Sequence, residues 1–216
     1  MAQKIKVWDG AVRFFHWATV LLVAGLWYSG TEGYIALHQL LAYCLASLLV
    51  ARIAWGFWGS QTARFYNFAA SPETAVRYLA NPRPVVGHNP ASSYMIFSLL
   101  ALLFLQLISG LATFDNSYMS DGPLVALLPA SWVDLASALH KRIIDIILIL
   151  VTVHIGFALW HSWRHHNVIK TMITGSTELN GEAQPVMCSG WRFFVLLAVL
   201  LLVMYYWQGR HLLALL

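Results

Sequence analysis

Five long apolar segments dominate this 216-residue chain, and each approaches the roughly 20 residues that a helix needs to cross a bilayer. They are Val12–Tyr28, Leu37–Trp58, Ser93–Phe114, Leu139–Trp163 and Trp191–Trp207. One such segment could be a buried helix of a soluble protein, but so short a chain cannot cover five. Charged residues make up 10% of the sequence, against about a quarter in soluble domains. The sequence therefore predicts an all-α integral membrane protein surrounded by lipid.

The distribution of positive charge predicts the orientation of the chain. If the N-terminus lies inside, ten of the thirteen Lys and Arg residues fall in cytoplasmic segments or at cytoplasmic helix ends. Only Lys141, Arg142 and Arg210 then fall outside. Cytoplasmic loops carry such an excess, so we expect a cytoplasmic N-terminus and an external C-terminus. The same bias accounts for the net charge of +4, and no nucleic-acid partner is expected.

The first apolar segment is expected to remain in the protein. No small-residue cleavage site follows it, and "VRFFHW" places charge and histidine at its start. Cys44 and Cys188 lie in different environments and are not expected to pair. The sequence contains no C-x-x-C-H motif for covalent haem and no cysteine set for an iron–sulfur cluster.

The links between spans differ in length and character, and the sequence shows no internal repeat. The link from Gly59 to Ser92 contains "SPETAVRYLA", in which Ser71 can cap a helix and Pro72 can take its first position. This predicts a short helix at the membrane surface. In the external link, "SWVDLASALH" is expected to begin a helical turn that leads into the fourth span.

Histidines recur inside the apolar segments at informative intervals. His140 and His154 are fourteen residues apart, so they face the same way to within ~40° and lie roughly 21 Å apart along one helix. Because successive spans alternate in direction, His16 at the start of the first lies on the cytoplasmic side. His38, at the start of the second, lies on the external side. His16 therefore lies at the same depth in the membrane as His154, and His38 at the same depth as His140. We expect these two pairs to face each other.

Two imidazoles that face each other between helices suit the axial positions of a haem iron, and helix bundles build cofactor sites from facing side chains. The alternative is that these histidines are polar contacts between helices. Two matched depths and the fourteen-residue interval favour haem ligation. The sequence thus predicts a four-helix haem-binding transmembrane bundle plus a fifth C-terminal transmembrane helix.

Four stretches also carry a family resemblance, namely "VWDGAVRFFHW", "LHQLLAY", "ARIAWGFWGSQTARFYNF" and "HKRIIDIILILVTVHIGFALWH". They resemble the bacterial di-haem membrane cytochrome b group, which includes the nickel–iron hydrogenase cytochrome b subunit and the small quinol-oxidising cytochrome b of the five-sixty-one type. The resemblance extends from about Val7 to Lys170. The fifth span departs from the four-helix pattern of the smallest members.

The resemblance implies two non-covalent b haems, each held by two histidines, and a multi-pass location in the bacterial inner membrane. It implies the ligands His16, His38, His140 and His154, and electron exchange with the quinone pool. On this basis residues 1–170 are the di-haem four-helix domain. Residues 171–216 then supply a cytoplasmic link and the additional helix, with the C-terminus in the periplasm.

Two arginines are candidates for binding haem propionates on the cytoplasmic side. Arg52 lies fourteen residues after His38 and shares its face at the depth of the cytoplasmic site. Arg13 lies three residues before His16 and is its neighbour on the helix surface. A charge inside a span costs at least ~2.5 kcal/mol and usually marks function or extends to the interface. Snorkelling to lipid phosphates is therefore the alternative for both.

Three further residues are candidates around the haems. Lys141 and Arg142 flank the external ligand and could bind its haem propionates, although Lys141 could instead pair with Asp145 one turn on. His161 lies seven residues beyond His154, about 10 Å nearer the cytoplasm. It could hydrogen-bond a quinone or a propionate and exchange protons, or simply extend to the interface. No role is assigned to the remaining histidines: His88, His165, His166 and His211.

Three functions compete. The first is an electron carrier between quinol and a redox partner, either a periplasmic c-type cytochrome or a hydrogenase-like reductase that docks on Asp115–Ala138. Such a subunit could act as a quinol:acceptor oxidoreductase. The second is a membrane non-haem di-iron enzyme, for which "HSWRHH" supplies one histidine box and nothing supplies another. The third is a transport or structural subunit, which would be colourless. The direction of electron flow and homodimer formation stay open.

Overall fold

The computed structural model describes residues 3–81, 85–116, 120–164, 167–179 and 183–216. In chain order its elements are β1 (Gln3–Lys6), α1 (Gly10–Thr31), α2 (Ile35–Trp58), α3 (Phe65–Phe68), α4 (Pro72–Ala80), α5 (Pro90–Leu111), β2 (Phe114–Asp115), β3 (Ser120–Asp121), a 3-10 turn (Val125–Leu127), α6 (Ala130–Arg164), α7 (Val168–Thr174), β4 (Ser176–Leu179), α8 (Trp191–Met204), a π-helical turn (Tyr205–Gly209) and α9 (Arg210–Leu213).

Five candidate membrane spans are present within the described ranges, which confirms the predicted all-α membrane architecture. The fourth, α6, is 35 residues long because the segment "SWVDLASALH" is continuous with the span. The third begins at Pro90, three residues before the predicted start. Asn89 caps it by accepting a 2.7 Å hydrogen bond from the Ser92 amide. The fifth span continues from α8 through the π-helical turn to Leu213.

Polar caps set the starts of other helices as well. Asp9 precedes α1 and accepts a 2.7 Å hydrogen bond from the amide of Val12. Ser71 caps the short helix α4, and Pro72 occupies its first turn as predicted. Such side chains satisfy amides that have no partner inside the helix. Each cap therefore fixes the residue at which its helix begins.

The helices pack as two pairs, α1 on α2 and α5 on α6, joined through α2 and α5. Leu45 and Leu49 of α2 meet Leu103 of α5 and Ile143 and Ile147 of α6 in one apolar core. Half of the apolar window of α2 is buried, against 11% for α1, α5 and α6. Helix α2 is therefore central, and the other spans present most of their apolar surface to lipid.

The fifth span covers the remaining face of α2. Phe193 is 1% exposed and its ring lies 6.1 Å from that of Trp55. Nearer the other end, the ring of Trp207 lies 5.7 Å from that of Tyr43. The span thus packs along most of α2 rather than standing apart from the four-helix bundle.

One end of the bundle is covered by the N-terminal segment and by parts of two links between helices. Strand β1 pairs antiparallel with β4, with Gln3 opposite Leu179 and Lys6 opposite Ser176. The Thr62 hydroxyl donates a 2.6 Å hydrogen bond to the Val7 carbonyl. This bond joins the link between α2 and α5, which we call the second link, to the N-terminal segment. We call this end the cap face. It gathers the N-terminal segment and the described parts of the 59–89 and 167–190 links.

The opposite end carries a small hairpin, β2 paired antiparallel with β3. The Gly122 amide donates a 2.8 Å hydrogen bond to the Thr113 carbonyl. The Gln39 amide group donates a 3.3 Å hydrogen bond to the backbone carbonyl of Asp121, which joins the hairpin to α2. We call this end the hairpin face.

Candidate functional site

Four histidines meet in two pairs inside the bundle. His16 of α1 faces His154 of α6, with ring centroids 6.4 Å apart and ring planes at 51°. His38 of α2 faces His140 of α6, with centroids 6.2 Å apart and planes at 84°. We call the first the cap-side pair and the second the hairpin-side pair. These are the pairings that the fourteen-residue interval and the alternating helix directions predict.

The spacing within each pair fits one metal ion between two rings. Two imidazoles that share a metal ion on opposite sides, each with a metal–nitrogen bond of about 2 Å, have ring centroids about 6 Å apart. The observed separations of 6.2 and 6.4 Å agree with this value. Each pair could therefore hold a metal ion, such as the iron of a haem, between its two rings.

Hydrogen bonds to backbone carbonyls orient both rings of the hairpin-side pair. Nδ1 of His38 lies 2.9 Å from the Leu26 carbonyl oxygen. Nδ1 of His140 lies 3.0 Å from the Gln106 carbonyl oxygen. A carbonyl can only accept, so in both rings Nδ1 carries the hydrogen. The neutral ring then keeps its lone pair on Nε2, which is the arrangement that metal-binding histidines adopt.

A cavity of about 450 Å³ adjoins the hairpin-side pair. Its walls come from α1, α2, α5, α6 and the hairpin, and its lining is mostly apolar. Polar groups enter at a few points, among them Gln106, Lys141 and Asp145. Cofactor pockets are typically about 300–1,000 Å³, mainly apolar, with a few placed polar groups. The cavity therefore has the size and chemistry of a cofactor site.

The cap side of the bundle holds a group of buried polar atoms without hydrogen-bond partners among the described residues. They are Nε of Arg13, Nδ1 of His16, Oγ1 of Thr19 and Nη1 of Arg52. Nearly all buried polar atoms in proteins are hydrogen-bonded. A group of unsatisfied donors beside a histidine pair fits a polar, anionic ligand group such as a haem propionate.

Arg52 is held inside the protein rather than extended to the lipid interface. It is 3% exposed, and Nη2 donates a 3.3 Å hydrogen bond to the Ala63 carbonyl. Its guanidinium carbon lies 4.9 Å from the ring centroid of Phe65 and 5.8 Å from that of Phe15. The guanidinium therefore faces the protein interior, between Phe15 of α1 and the link that follows α2, and does not snorkel.

Arg13 is likewise tied to the protein. Its Nη1 donates a 2.8 Å hydrogen bond to the Ile173 carbonyl, near the end of α7. Its Nε stays buried and unpartnered within the described part of the chain. Arg13 therefore joins α1 to the cap and retains one donor for a further partner.

The remaining predicted site residues lie in less enclosed places. Lys141 forms a 3.3 Å ion pair with Asp115 of the hairpin, which neither of the sequence-based alternatives named. Arg142 is exposed, and His161 is half-buried near the cap-side end of α6. His165 and His166 of the candidate histidine box lie outside the described residues.

Sequence reasoning missed several buried polar residues. Asp9 accepts hydrogen bonds from the Val12 amide and, at 3.0 Å, from the Trp55 indole. The ring of His88 lies 4.5 Å from the rings of both Trp8 and Phe68. The position of Asp9 just before an apolar run is a recognisable capping signal. Nothing local in the sequence marks His88.

Each histidine pair offers two imidazole ligands that face each other. No three His, Cys, Asp or Glu side chains gather as a metal-binding group within the described ranges. A haem needs only the two axial ligands that each histidine pair offers. Two histidine pairs at two depths of a membrane helix bundle define the class of membrane b-type cytochromes.

Comparison with known families agrees with this class. The family model described as prokaryotic cytochrome b561 matches residues 7–175, more than three quarters of the chain. The chain belongs to the prokaryotic cytochrome b561 family of bacterial membrane b-type haem electron-transfer proteins. No curated protein gives a significant match to the chain.

Proposed function

We propose that this protein is a di-haem cytochrome that transfers electrons between the quinone pool and a redox partner. The observation that carries the proposal is the presence of two histidine pairs, at 6.4 and 6.2 Å, in opposite halves of one bundle. A single haem would leave one of these two interior histidine pairs without a ligand. When bound, each b haem supplies reversible one-electron chemistry.

Each half of the bundle has its own set of binding residues. In the proposal His16 and His154 hold one haem, with Arg13 and Arg52 as donors to its propionates. Their unpartnered buried nitrogens support this role. His38 and His140 hold the other haem. There Lys141, already paired with Asp115, and the exposed Arg142 are the candidate propionate partners.

Quinol oxidation releases two electrons and two protons, so it needs proton acceptors as well as an electron acceptor. We assign the proton role to His161, which lies two helical turns beyond His154 near the cap-side end of α6. Imidazole side chains can act as proton acceptors and donors in such chemistry. His161 would then serve the quinone site next to the cap-side haem.

The proposed orientation follows the positive-inside bias. The cap face lies in the cytoplasm and the hairpin face in the periplasm, with residues 1–170 as the haem-binding domain. Residues 171–216 add a link and a helix that supports α2. The redox partner, a periplasmic c-type cytochrome or a hydrogenase-like subunit, would dock on the hairpin face around residues 115–138.

The haem content of purified protein tests the proposal. We expect two b haems per chain in the wild type, measured as the pyridine haemochrome and the dithionite-reduced minus oxidised spectrum. His154→Ala and His140→Ala should each retain one haem, because each removes one axial ligand. His211→Ala is the matched control, since His211 is exposed in α9 and should retain two. A colourless wild type, or full haem content in both ligand variants, would contradict the assignment.

A further inference from the structure

The fifth span reaches the wall of the cavity that adjoins the hairpin-side pair. Trp207, in its π-helical turn, lies against Tyr43 of α2, with ring centroids 5.7 Å apart and ring planes at 54°. Tyr43 is 6% exposed and lines the cavity. It lies five residues after His38 on the same helix. A helix that is added to the four-helix bundle therefore contacts a residue that shapes the space beside His38.

The π-helical turn sets the position of Trp207 relative to Tyr43. Phe193 marks the face of α8 that packs on α2. A regular α-helix of 3.6 residues per turn would return to this face near positions 207 and 211. The buried residues beyond α8 are instead Gly209 and Leu212, so the packing face lies about one position later. The wider π turn accounts for this displacement. Trp207, which is 44% exposed, then lies at the edge of the packing face, beside Tyr43.

A glycine accommodates this backbone. A Cβ at Gly209 would lie 3.3 Å from the Met204 carbonyl oxygen, which is closer than an ordinary contact. The π-helix is rare, and its single turns inside α-helices are frequently found at functional sites. Gly209, the π turn and Trp207 therefore form one local arrangement opposite Tyr43.

Packing rather than hydrogen bonding holds the Tyr43 side chain. Among the described residues its hydroxyl has no hydrogen-bond partner, and the aromatic ring that packs against it is that of Trp207. Aromatic pairs at such distances are stabilising beyond the area that they bury, and helices in lipid associate mainly through close packing. The position of Tyr43 at the cavity wall therefore depends on the fifth span.

Both rings of the hairpin-side pair share this cavity. His38 and His140 line it together with Tyr43 and a mostly apolar set of neighbours. Its volume of about 450 Å³ lies in the range of cofactor pockets. A group held between His38 and His140 would share the space with Tyr43, so the wall at Tyr43 affects how firmly such a group is held.

We propose that Trp207 is a positioning residue for the hairpin-side site and acts through Tyr43. By packing on Tyr43 it keeps the cavity in the shape that retains the haem held by His38 and His140. This inference rests on the proposed di-haem function. It gives a role in one site to a helix that lies beyond the family match at residues 7–175. The cap-side pair lies in the other half of the bundle and does not depend on this contact.

Haem retention in single-site variants of the purified full-length protein tests this role. His154→Ala leaves the hairpin-side pair intact, and His140→Ala leaves the cap-side pair intact. Trp207→Ala is added to each, and the haem per chain is measured as the pyridine haemochrome after the same detergent wash. In the His154→Ala background we expect less haem than in the parent, a shifted reduced absorption band and changed EPR g values. In the His140→Ala background Trp207→Ala should change none of these.

Two further variants separate a local effect from general unfolding. Tyr206→Ala is the matched control, because Tyr206 lies in the same π turn and is 66% exposed. It should keep the haem content and spectra of the parent. Trp207→Phe keeps a ring against Tyr43 and should restore both. Equal losses in the two backgrounds, no change in either, or an equal effect of Tyr206→Ala would overturn the inference.

A double-variant comparison shows whether Trp207 acts through Tyr43. In the His154→Ala background, Tyr43→Ala should reduce haem retention as Trp207→Ala does. Adding Trp207→Ala to Tyr43→Ala should cause little further loss, because residues that act through one contact are not additive. Fully additive losses would show that Trp207 does not act through Tyr43. A colourless His154→Ala parent would contradict the di-haem function itself, and this inference with it.

Discussion

At the scale of single residues, His88 shows how a loop histidine becomes part of a core. Its ring lies 4.5 Å from the rings of Trp8 and Phe68, between the N-terminal segment and the second link. Burial and, to a smaller extent, the nearby charge of Arg52 together lower the pKa of His88 to about 3. His88 is therefore neutral at physiological pH and packs as an aromatic ring that joins two parts of the cap.

The low pKa of His88 predicts an acid sensitivity of the cap. An unfolded histidine binds a proton below about pH 6.5, whereas folded His88 stays neutral down to about pH 3. The unfolded state thus holds more protons between these values, and stability falls as the pH falls. His88→Phe keeps an aromatic ring and cannot be protonated. We expect its melting temperature in detergent to fall less than that of the wild type between pH 7 and pH 5.

The control for this experiment is His211→Phe, which changes an exposed histidine of α9. It should keep the pH dependence of the wild type. An identical loss of melting temperature in His88→Phe and the wild type would mean that His88 does not carry the acid sensitivity.

At the scale of helices, the fifth span supports the helix that carries His38. Helix α2 is enclosed by α1 on one side and by α8 on the other. Phe193 of α8 is 1% exposed against Trp55, while its neighbour Phe194 is 41% exposed. In lipid, helices associate mainly through close packing rather than through the hydrophobic effect. Phe193 should therefore stabilise the bundle through its close packing against Trp55.

We expect Phe193→Ala to destabilise the protein by roughly 2 kcal/mol. In lipid the substitution loses little transfer free energy, so the cavity left by the ring accounts for this value. The free energy of unfolding in a mixed-micelle titration with SDS measures this change. Phe194→Ala is the matched control and should change stability much less, because its ring is partly open to lipid. Equal effects for the two variants would show that the α2–α8 contact does not stabilise the bundle.

At the scale of the whole molecule, polar contacts gather at the two ends of the bundle. The cap face gathers the β1–β4 pair and the hydrogen bond of Thr62 to the Val7 carbonyl. The hairpin face holds β2–β3 and the Lys141–Asp115 ion pair. The two histidine pairs lie between these ends. The proposed electron transfer across the membrane would use this arrangement, with one histidine pair nearer each face.

The proposed orientation predicts which face a membrane-impermeant maleimide can reach. Single cysteines at Asp121→Cys on the hairpin and Glu178→Cys on β4, in a Cys44→Ala and Cys188→Ala background, place probes at exposed positions. In spheroplasts we expect labelling of the first alone, and labelling of the second only after permeabilisation. The opposite pattern would reverse the assignment of the cap face to the cytoplasm.

Features that depend on residues close together in sequence were predictable, whereas contacts between distant residues were not. The membrane spans follow from the length and apolarity of each segment, and helix geometry relates His140 to His154 within one helix. The hairpin-face ion pair was missed because Lys141 meets Asp115 from a loop 26 positions away instead of Asp145 one turn on. The inward course of Arg52 likewise depends on Ala63 and Phe65 of the following link.

By itself the sequence determined the class of protein, the five spans and the pairing of four histidines. Each of these follows from periodicity along a helix and from the cost of exposing backbone or charge to lipid. The tertiary structure alone decided that the Leu26 carbonyl of α1 and the Gln106 carbonyl of α5 hold His38 and His140. It also decided that α8 packs on α2 and that His88 is buried. These features depend on which helices meet and at what register, and residues distant in sequence set both.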